Sequence, residues 1–566
     1  MANTKSAKNG ALIGIGAAVA AAVIGGIVIT SNLKKPSYQI SEEEAQAKLT
    51  KLLHNVDVKN VEPRKAPVDF TSNDLANTLP DIDQYPLTVT GDGQVNIEIF
   101  ASPEKAGSGT DGWLNETAKS FNQKHERTAS GMTMSVSVRS ISSGMGSDYI
   151  VSGKYLPDAY TPSNSMWGTM AVSNGAQLST RNGTDRLVGN VAGILLSDDM
   201  VKTLTADYGS ITIETITRAT QEGKVAMGYT YPYTSSTGLN FLVSSLYSFD
   251  NADPLSTKAV GEFQKFQANV PFVCYTTQQM RGAMQSGSLN ACIMEYQTYC
   301  NDSTLQKKYK FYPFGARHDN PLYEVGSISS DKEEVLRTFT AYCQDAEQQK
   351  NATRYGFNQM DTYKAAEPDF DALTLINAQQ LWKQEKDSGK PVVAVFVADV
   401  SGSMIGDPLN RLKTSLLSAS QYINSNNYIG LVSYSSDVSV NLPIAQFDLD
   451  QRSCFTGAVQ DMTASGATCT YDAVLQGIKM LQDAKTTIPD AKLMLFVLSD
   501  GETNTGCKLS QISGIVDAFN IPIYTISYNE SINELSELSA INEAATINAN
   551  SEDVVYKLSS LFNAQM

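Results

Sequence analysis

The last third of the chain alternates strongly apolar runs with amphipathic segments, and few folds accommodate such a pattern. The runs PVVAVFVADV, YIGLVSYSS, KLMLFVLSDG and IPIYTISY are continuous rather than alternating, as in strands that are buried on both faces. Between them lie segments with helical spacing, such as LNRLKTSLLSASQYI and YDAVLQGIKMLQDA. Strands that alternate with helices indicate a doubly wound α/β domain with a parallel sheet, which we predict over residues 388–566. In such domains, ligands bind beyond the carboxyl ends of the strands.

The chain of 566 residues is too long for one hydrophobic core, and its pattern divides it into several parts. The segments VNIEIFAS, WLNETAKSFNQKH and MTMSVSVRSI have the patterns of a strand, a helix and a strand, which begin a second α/β domain. We predict a short N-terminal head at 1–10, a transmembrane anchor at 11–30, a membrane-proximal stalk at 31–90, this α/β domain at 91–375, and the doubly wound domain at 388–566.

The predicted anchor, ALIGIGAAVAAAVIGGIVIT, carries no charge and has about the length that a helix needs to span a bilayer. A cleaved signal peptide is the alternative, but the small residues lie within the apolar run rather than just after it. The sequence therefore favours an uncleaved anchor. A short head and a long tail further predict a single-pass protein of the cell membrane, with the bulk of the chain extracellular.

Composition argues against some functions. The formal net charge of −16 argues against nucleic acid as a partner, because phosphate binding needs clustered basic residues. No two of the seven cysteines have C-x-x-C spacing, and the sequence leaves disulfide pairing open. The chain has three histidines and lacks the H-E-x-x-H, G-x-S-x-G and P-loop motifs, so we do not expect an enzyme.

The strongest motif follows the first apolar run of the last domain, where Asp399, Ser401 and Ser403 alternate in a loop. Two other segments end at the same expected edge of the sheet and supply Thr468 and Asp500. All of these are hard oxygen ligands, with no Cys or His among them. The sequence therefore predicts a site for Mg²⁺, with Mn²⁺ or Ca²⁺ as alternatives.

The sequence DVSGS, followed by SGAT and then LSDG, resembles the metal-ion-dependent adhesion site of von Willebrand factor A domains. The resemblance covers about residues 391–566. It implies that Ser401, Ser403 and Thr468 ligate the metal directly, that Asp399 and Asp500 act mostly through water, and that a partner carboxylate fills one coordination position. It therefore implies a protein partner that offers an acidic side chain. One departure is Ala467, where the family usually has a second glycine.

The middle region, about residues 95–356, resembles a bacterial solute-binding protein with two α/β lobes. The resemblance lies in the order of its loops, including SVRSISSGMG, SGKYLPDAYTPSN and YTYPYTSSTGLNFL. It implies a small-molecule site in the cleft between the lobes. Helix caps, turns and core packing are the alternative roles for the same side chains. The candidate ligand-binding residues are Ser142, Ser143, Ser163, Asn164, Ser235, Ser236, Thr237, Trp113 and Trp167.

Three functions compete. The favoured one is a membrane-anchored bacterial surface protein for binding or adhesion, in which the A-type domain grips a protein partner through its metal and the solute-binding-like domain senses or scaffolds. The second is the solute-binding component of a transport system that uses the A-type domain for docking. The third is an intracellular role in metal loading or complex assembly, which A-type domains also have.

Overall fold

The computed structural model describes residues 27–28, 40–68, 75–180, 186–270, 273–274, 280, 289–528, 533–542, 546–549 and 554–566. Its strands fall into three sheets of eight, five and six strands. The strands are β1 (Ile27–Val28), β2 (Val58–Asn60), β3 (Leu87–Val89), β4 (Val95–Ala101), β5 (Met134–Ser140), β6 (Ala159–Thr161), β7 (Leu178–Ser179), β8 (Asn190–Ser197), β9 (Met227–Thr230), β10 (Val273–Cys274), β11 (Ala291–Glu295), β12 (Tyr309–His318), β13 (Tyr323–Val325), β14 (Val392–Asp399), β15 (Tyr428–Tyr434), β16 (Val438–Gln446), β17 (Lys492–Ser499), β18 (Ile523–Tyr528) and β19 (Thr546–Ala549).

The largest sheet has the order β1-β19-β18-β17-β14-β15-β16-β2. Strands β19, β18, β17, β14 and β15 are parallel, β15 and β16 are antiparallel, and helices cover both faces. Every residue of β14 is buried, as its continuous apolar sequence predicts. The fold class predicted for the C-terminal region, a doubly wound sheet that is mostly parallel, is confirmed. The helices of this domain are Asp407–Ser420, Leu449–Asp461, Thr470–Lys485, Leu509–Phe519, Asn533–Ala540 and Val554–Gln565.

Side chains of β14 alternate between two hydrophobic cores, one on each face of the sheet. Phe396 packs on one face with Phe562 of the C-terminal helix, at 4.9 Å between ring centroids. Val395 and Val397 face the other core, together with Ile478 of the helix Thr470–Lys485. Both faces of β14 are therefore buried, and its polar residue, Asp399, lies at the end of the strand.

Part of the expected stalk at 31–90 packs on the C-terminal domain rather than standing apart from it. The helix Glu42–Leu53 buries Ala45 and Leu49 in the same core as Val395, and β2 extends the large sheet beside β16. Because this helix has its own apolar face, packing removes that face from water. Farther along, Arg64 pairs with Asp461 at 2.8 Å, on the helix Leu449–Asp461.

The middle region has two lobes, each built on its own sheet. The first sheet has the order β3-β5-β4-β6-β13-β7 and the second has the order β10-β9-β11-β8-β12, so the chain passes from one lobe to the other after β7 and returns after β12. The parallel core of the first lobe is β5-β4-β6, as the strand-helix-strand pattern predicts.

Short and long helices pack on both of these sheets, and one helix leads from the middle region to β14. The helices between residues 75 and 390 are Leu75–Thr78, Pro103–Ala106, Trp113–Asn122, Ser143–Ser152, Met166–Ser173, Asp198–Tyr208, Ile213–Gln221, Ser236–Phe249, Thr257–Gln267, Tyr296–Cys300, Ser303–Lys308, Ser330–Gln344, Ala346–Arg354 and Ala372–Glu385. Three short 3₁₀ turns, Ile82–Gln84, Gly109–Asp111 and Gly402–Met404, complete the regular structure.

The expected location as a single-pass protein of the cell membrane is wrong. Among the residues that the structure describes, no helix is both long enough and apolar enough to cross a membrane. At the end of the apolar run expected as an anchor, Ile27 and Val28 form β1, which pairs with β19. Residues with branched β-carbons favour extended backbone, so this end of the run suits an edge strand. The rest of the predicted anchor, 11–26 and 29–30, lies outside the described residues, as does the predicted head at 1–10.

Close approach of the N-terminal segment to the C-terminal domain depends on Gly457. A β-carbon added to this glycine would lie 1.7 Å from the carbonyl oxygen of Arg64. We therefore expect Gly457→Ala to destabilise the C-terminal domain by about 1–3 kcal/mol through overpacking, measured by scanning calorimetry. Trypsin should also cut sooner at Arg64 and Lys65.

The matched control is Gly261→Ala, in the helix Thr257–Gln267, where an added β-carbon meets no atom within 4 Å. That change should stabilise its helix by roughly 0.5–1 kcal/mol, because alanine loses less backbone entropy than glycine. If Gly457→Ala behaves like this control, the segment does not dock as described.

Candidate functional site

Strands β14 and β17 end side by side, and their ends form the centre of the predicted metal site. Ala398 lies opposite Leu498 in the parallel pair, so Asp399 and Ser499 leave the sheet together. The Ser499 hydroxyl donates to Oδ2 of Asp399 at 2.7 Å, and the Asp399 side chain is fully buried. The innermost carboxylate is thus held in place by a residue that sequence analysis did not single out.

A chain of hydrogen bonds leads from this carboxylate to the surface. The backbone N–H of Ser401 donates to Oδ1 of Asp399 at 2.8 Å, and the Ser401 and Ser403 hydroxyl oxygens lie 3.1 Å apart. The Ser403 hydroxyl in turn donates to Oδ1 of Asp500 at 2.7 Å. The structure therefore brings these four predicted residues together at the rim of the sheet, with Asp399 innermost and Ser403 exposed.

Thr468, the fifth predicted residue, lies in a loop that is fastened to both neighbouring loops. Gly402 N–H donates to the Gly466 carbonyl at 2.9 Å, and Thr468 N–H donates to Oδ1 of Asn504 at 2.9 Å. Gly466 has a φ of +84°, a conformation that favours glycine. Ala467, the departure from the family pattern, keeps an ordinary φ, and its N–H donates to the Ser436 hydroxyl at 2.9 Å. An alanine here is compatible with the loop.

The rim is acidic and has no basic counterpart in the described part of the chain, where neither Asp399 nor Asp500 forms an ion pair. Burial raises the pKa of Asp399 and the nearby Asp500 raises it further, while hydrogen bonds from Ser499 and Ser401 oppose the shift. No group of three or more His, Cys, Asp or Glu residues among the described ones is placed so that those residues alone could hold a metal ion. The available ligands are hydroxyls and two carboxylates, which suit a hard cation such as Mg²⁺.

The cleft between the lobes of the middle region is a closed, hydrogen-bonded seam. His318 and Glu295 end β12 and β11, and Asn190 begins the antiparallel β8, so all three share one edge of the second sheet. Nδ1 of His318 lies 3.0 Å from Glu295 Oε1, and its Nε2 lies 3.3 Å from the amide nitrogen of Asn164 in the first lobe. This contact joins the two lobes directly.

Several predicted ligand-binding residues lie in this seam, where they contact each other and other protein groups. Thr237 donates to Glu295 at 3.2 Å, and Trp167 Nε1 donates to the Ser236 hydroxyl at 2.9 Å. The Ser143 and Ser163 hydroxyl oxygens lie 3.5 Å apart, and all of these side chains are buried. The structure thus collects Ser143, Ser163, Asn164, Ser236, Thr237 and Trp167 at one place.

The remaining candidates have structural roles. Ser142 and Ser235 cap helices by accepting from Met145 N–H at 3.4 Å and Gly238 N–H at 3.2 Å. Trp113 is fully buried in the core of the first lobe, where its Nε1 donates to the Gln348 carbonyl at 3.2 Å. It lies away from the seam because its helix turns it toward Phe357, at 5.9 Å between ring centroids.

Two charged residues of the first lobe complete the seam, and the sequence analysis missed them. Lys105 has no exposed surface and donates to Asn320 at 2.9 Å and to Ser102. Glu104 Oε1 lies 3.4 Å from the Lys105 ammonium and accepts from Ser163 at 2.8 Å. The hint in the sequence was their position directly after the carboxyl end of β4, which is where such folds bind ligands.

Burial governs the titration of these groups. It lowers the pKa of Lys105 and raises the pKa of Glu295, and the nearby Glu104 raises the latter further. Burial also acts to raise the pKa of Glu104, but Lys105, Ser102 and Ser163 hold it below its usual value. The seam therefore supplies its own counter-charges and hydrogen bonds.

Comparison with known proteins identifies the C-terminal domain. Residues 394–564 match the model of the von Willebrand factor type A domain, so the chain carries such a domain. Inter-alpha-trypsin inhibitor heavy chain H3 of Bos taurus is 30% identical over 159 residues, which are 26% of this chain and 18% of that protein. The chain thus matches less than a fifth of this relative's length. Domains of this type generally bind protein partners, and they are typically not enzymes.

Solved structures similar to this chain include both kinds of domain. A von Willebrand factor type A protein from Catenulispora acidiphila is 19% identical, covering 31% of this chain and 42% of that one, with a TM-score of 0.28. The periplasmic binding protein AfuA from Actinobacillus pleuropneumoniae, with fructose-6-phosphate bound, is 13% identical, covering 51% of this chain and 98% of that one, with a TM-score of 0.38. Solute-binding proteins thus occur among the structural neighbours.

If the rim holds a divalent cation, Asp500→Asn should weaken Mg²⁺ or Mn²⁺ binding by about 10–100-fold, because it removes one negative charge while keeping an oxygen that can accept from Ser403. Isothermal titration of the metal-free chain measures this change. Asp407→Asn, a matched change at an exposed position on the same side, should leave the affinity unchanged. Equal affinities for the two variants would contradict the site.

Removing the Lys105 ammonium from the seam should lower the stability of the middle region. We expect Lys105→Met to destabilise the middle region by about 3–5 kcal/mol, because it leaves the Glu104 carboxylate buried without its cation. The three tryptophans, at positions 113, 167 and 382, make fluorescence during urea unfolding report on this region. Lys202→Met, where the lysine side chain is 78% exposed beside Asp199, should cost less than about 1 kcal/mol. If Lys105→Met and Lys202→Met lower the stability by similar amounts, the seam does not stabilise the middle region as described.

Proposed function

We propose that this protein is a binding protein whose A-type domain grips a protein partner through a divalent cation, with Mg²⁺ as the first choice. Ser401, Ser403 and Thr468 would hold the cation directly, and Asp399 and Asp500 would act mostly through water. The observation that carries the proposal is the line of oxygen ligands at the strand ends, linked by short hydrogen bonds and lacking a basic partner. A bound cation would supply the missing positive charge.

The partner group that this arrangement favours is a carboxylate. Few direct anionic ligands leave a hard cation with unbalanced positive charge, which attracts an acidic side chain out of water. Ile405, two residues after Ser403, is 66% exposed and offers an apolar contact next to the metal position. An apolar residue beside a charged anchor suits a protein surface better than a free acid as the ligand.

The middle region would serve as a scaffold for this domain. Support comes from the seam between its lobes, where His318, Glu295 and Lys105 bond to other protein groups at the position where a solute would lie. A transport role would require those buried contacts to break with each solute. Scaffolding requires only that they persist, so we favour it over the transport alternative.

A random peptide library displayed on phage tests the proposal without a known partner. Selection on the full chain in Mg²⁺ should enrich peptides that depend on one Asp or Glu. Their binding should fall at least about tenfold when that residue becomes Asn or Gln, because the loss of a charge-assisted contact costs about 1.4 kcal/mol or more. Chelation of the metal with EDTA should abolish binding.

Two variants separate the parts of the proposed surface. Ser401→Ala should abolish both metal and peptide binding, whereas Ile405→Ser should weaken peptide binding and leave the metal affinity unchanged. Asp407→Asn is again the matched control. Selected peptides that bind equally well with EDTA, or that contain no essential acidic residue, would contradict the proposal.

A further inference from the structure

A cavity of about 320 Å³ lies at the junction of the middle region and the A-type domain. It is lined by residues of the helices Ser143–Ser152, Met166–Ser173 and Ala372–Glu385, together with the C-terminal helix Val554–Gln565. None of the charged seam residues lines it, and neither does any residue of the metal rim. Its volume is within the range of sites for small organic molecules, roughly 300–1,000 Å³.

One carboxylate, that of Asp148, faces this cavity, and no Lys, Arg or His is among the described residues that line it. Asp148 has no hydrogen bond or ion pair in the part of the chain that the structure describes. Burial alone raises the pKa of this carboxyl to about 7. Since an ionised carboxylate without a partner is unfavourable in such surroundings, a cation that entered the cavity would be strongly attracted.

Aromatic rings form much of the wall. Trp167, Tyr231 and Tyr233 come from the middle region, and the rings of the two tyrosines stack with centroids 5.4 Å apart. Tyr422 and Tyr556 come from the A-type domain. Ring faces carry partial negative charge and attract ammonium groups, most strongly when water is excluded.

A second polar group in the wall lacks a partner. Ser559 of the C-terminal helix is 5% exposed, lines the cavity, and its hydroxyl oxygen makes no hydrogen bond to any described residue. Buried hydroxyls are almost always hydrogen-bonded, so an unpaired one beside a cavity points to a ligand that supplies the missing partner. This observation is independent of the charge on Asp148.

We propose that this cavity binds a small organic cation, a quaternary or primary ammonium compound, with Asp148 as its counter-ion and the aromatic rings as its cage. The site is formed by both domains and is separate from the metal rim. The proposed cation binding is therefore independent of the function proposed above.

The test is isothermal titration of the full chain with two cations and their neutral counterparts. The pairs are choline with 3,3-dimethylbutan-1-ol, and n-butylammonium with butan-1-ol. We expect at least one cation to bind saturably with one site per chain, at least about tenfold more tightly than its neutral counterpart, because only the cation gains the ion pair and the ring contacts. Asp148→Asn should remove this preference.

Tyr422→Leu, on the opposite wall, should also weaken cation binding, so the inference stays testable if one variant folds poorly. Asp199→Asn, whose side chain is 95% exposed, is the matched control and should bind like the wild-type chain. The proposal is overturned if neither cation binds saturably, if the neutral compounds bind equally well, or if Asp148→Asn keeps the preference for the cation.

Discussion

The in-register pairing of β14 with β17 is the constraint on which the A-type domain and its rim depend. Phe396 lies opposite Phe496, with their ring centroids 5.3 Å apart, and Phe562 packs against both. A slip of one residue would turn these side chains to the wrong face of the sheet, so aromatic packing fixes the register. The same register brings Asp399 beside Ser499 and one residue from Asp500. The register of β14 and β17 therefore determines both the packing of the core and the geometry of the acidic rim.

The middle region is inserted into this sheet, between β2 and β14, so the chain enters and leaves it close to the A-type domain. A third connection comes from the C-terminal helix, where Lys383 donates to the Asn563 carbonyl at 3.0 Å and Asn563 donates to the Tyr231 hydroxyl. Two chain crossings and one hydrogen-bonded contact hold the two parts together more firmly than one linker would. A cavity at this junction is consequently a defined feature with walls from both sides.

Local patterns in the sequence predicted the features that depend on residues close together in the chain. The continuous apolar runs gave the strands of the A-type domain, and the oxygen residues just after them fall at its rim. The seam could not be predicted from the sequence, because Glu104, Glu295 and His318 are far apart along the chain and no spacing rule connects them. Trp113 has the core-packing role that the sequence left open, because a tryptophan near a loop has the same signature whether it faces a ligand or a core. The apolar N-terminal run likewise suits both a membrane helix and an edge strand.

The partners of each buried carboxylate distinguish structural sites from binding sites in this chain. Glu104 and Glu295 have the Lys105 ammonium, the His318 ring and neutral hydrogen bonds around them, so both have partners within the protein. Among the described residues, Asp399 has hydroxyl and backbone donors but no cation, and the half-buried Asp148 has neither. A folded protein that buries negative charge without balancing it gains stability when a cation binds there. The seam residues thus find their partners within the protein, whereas the rim and the junction cavity are the two places where we propose that a cation binds.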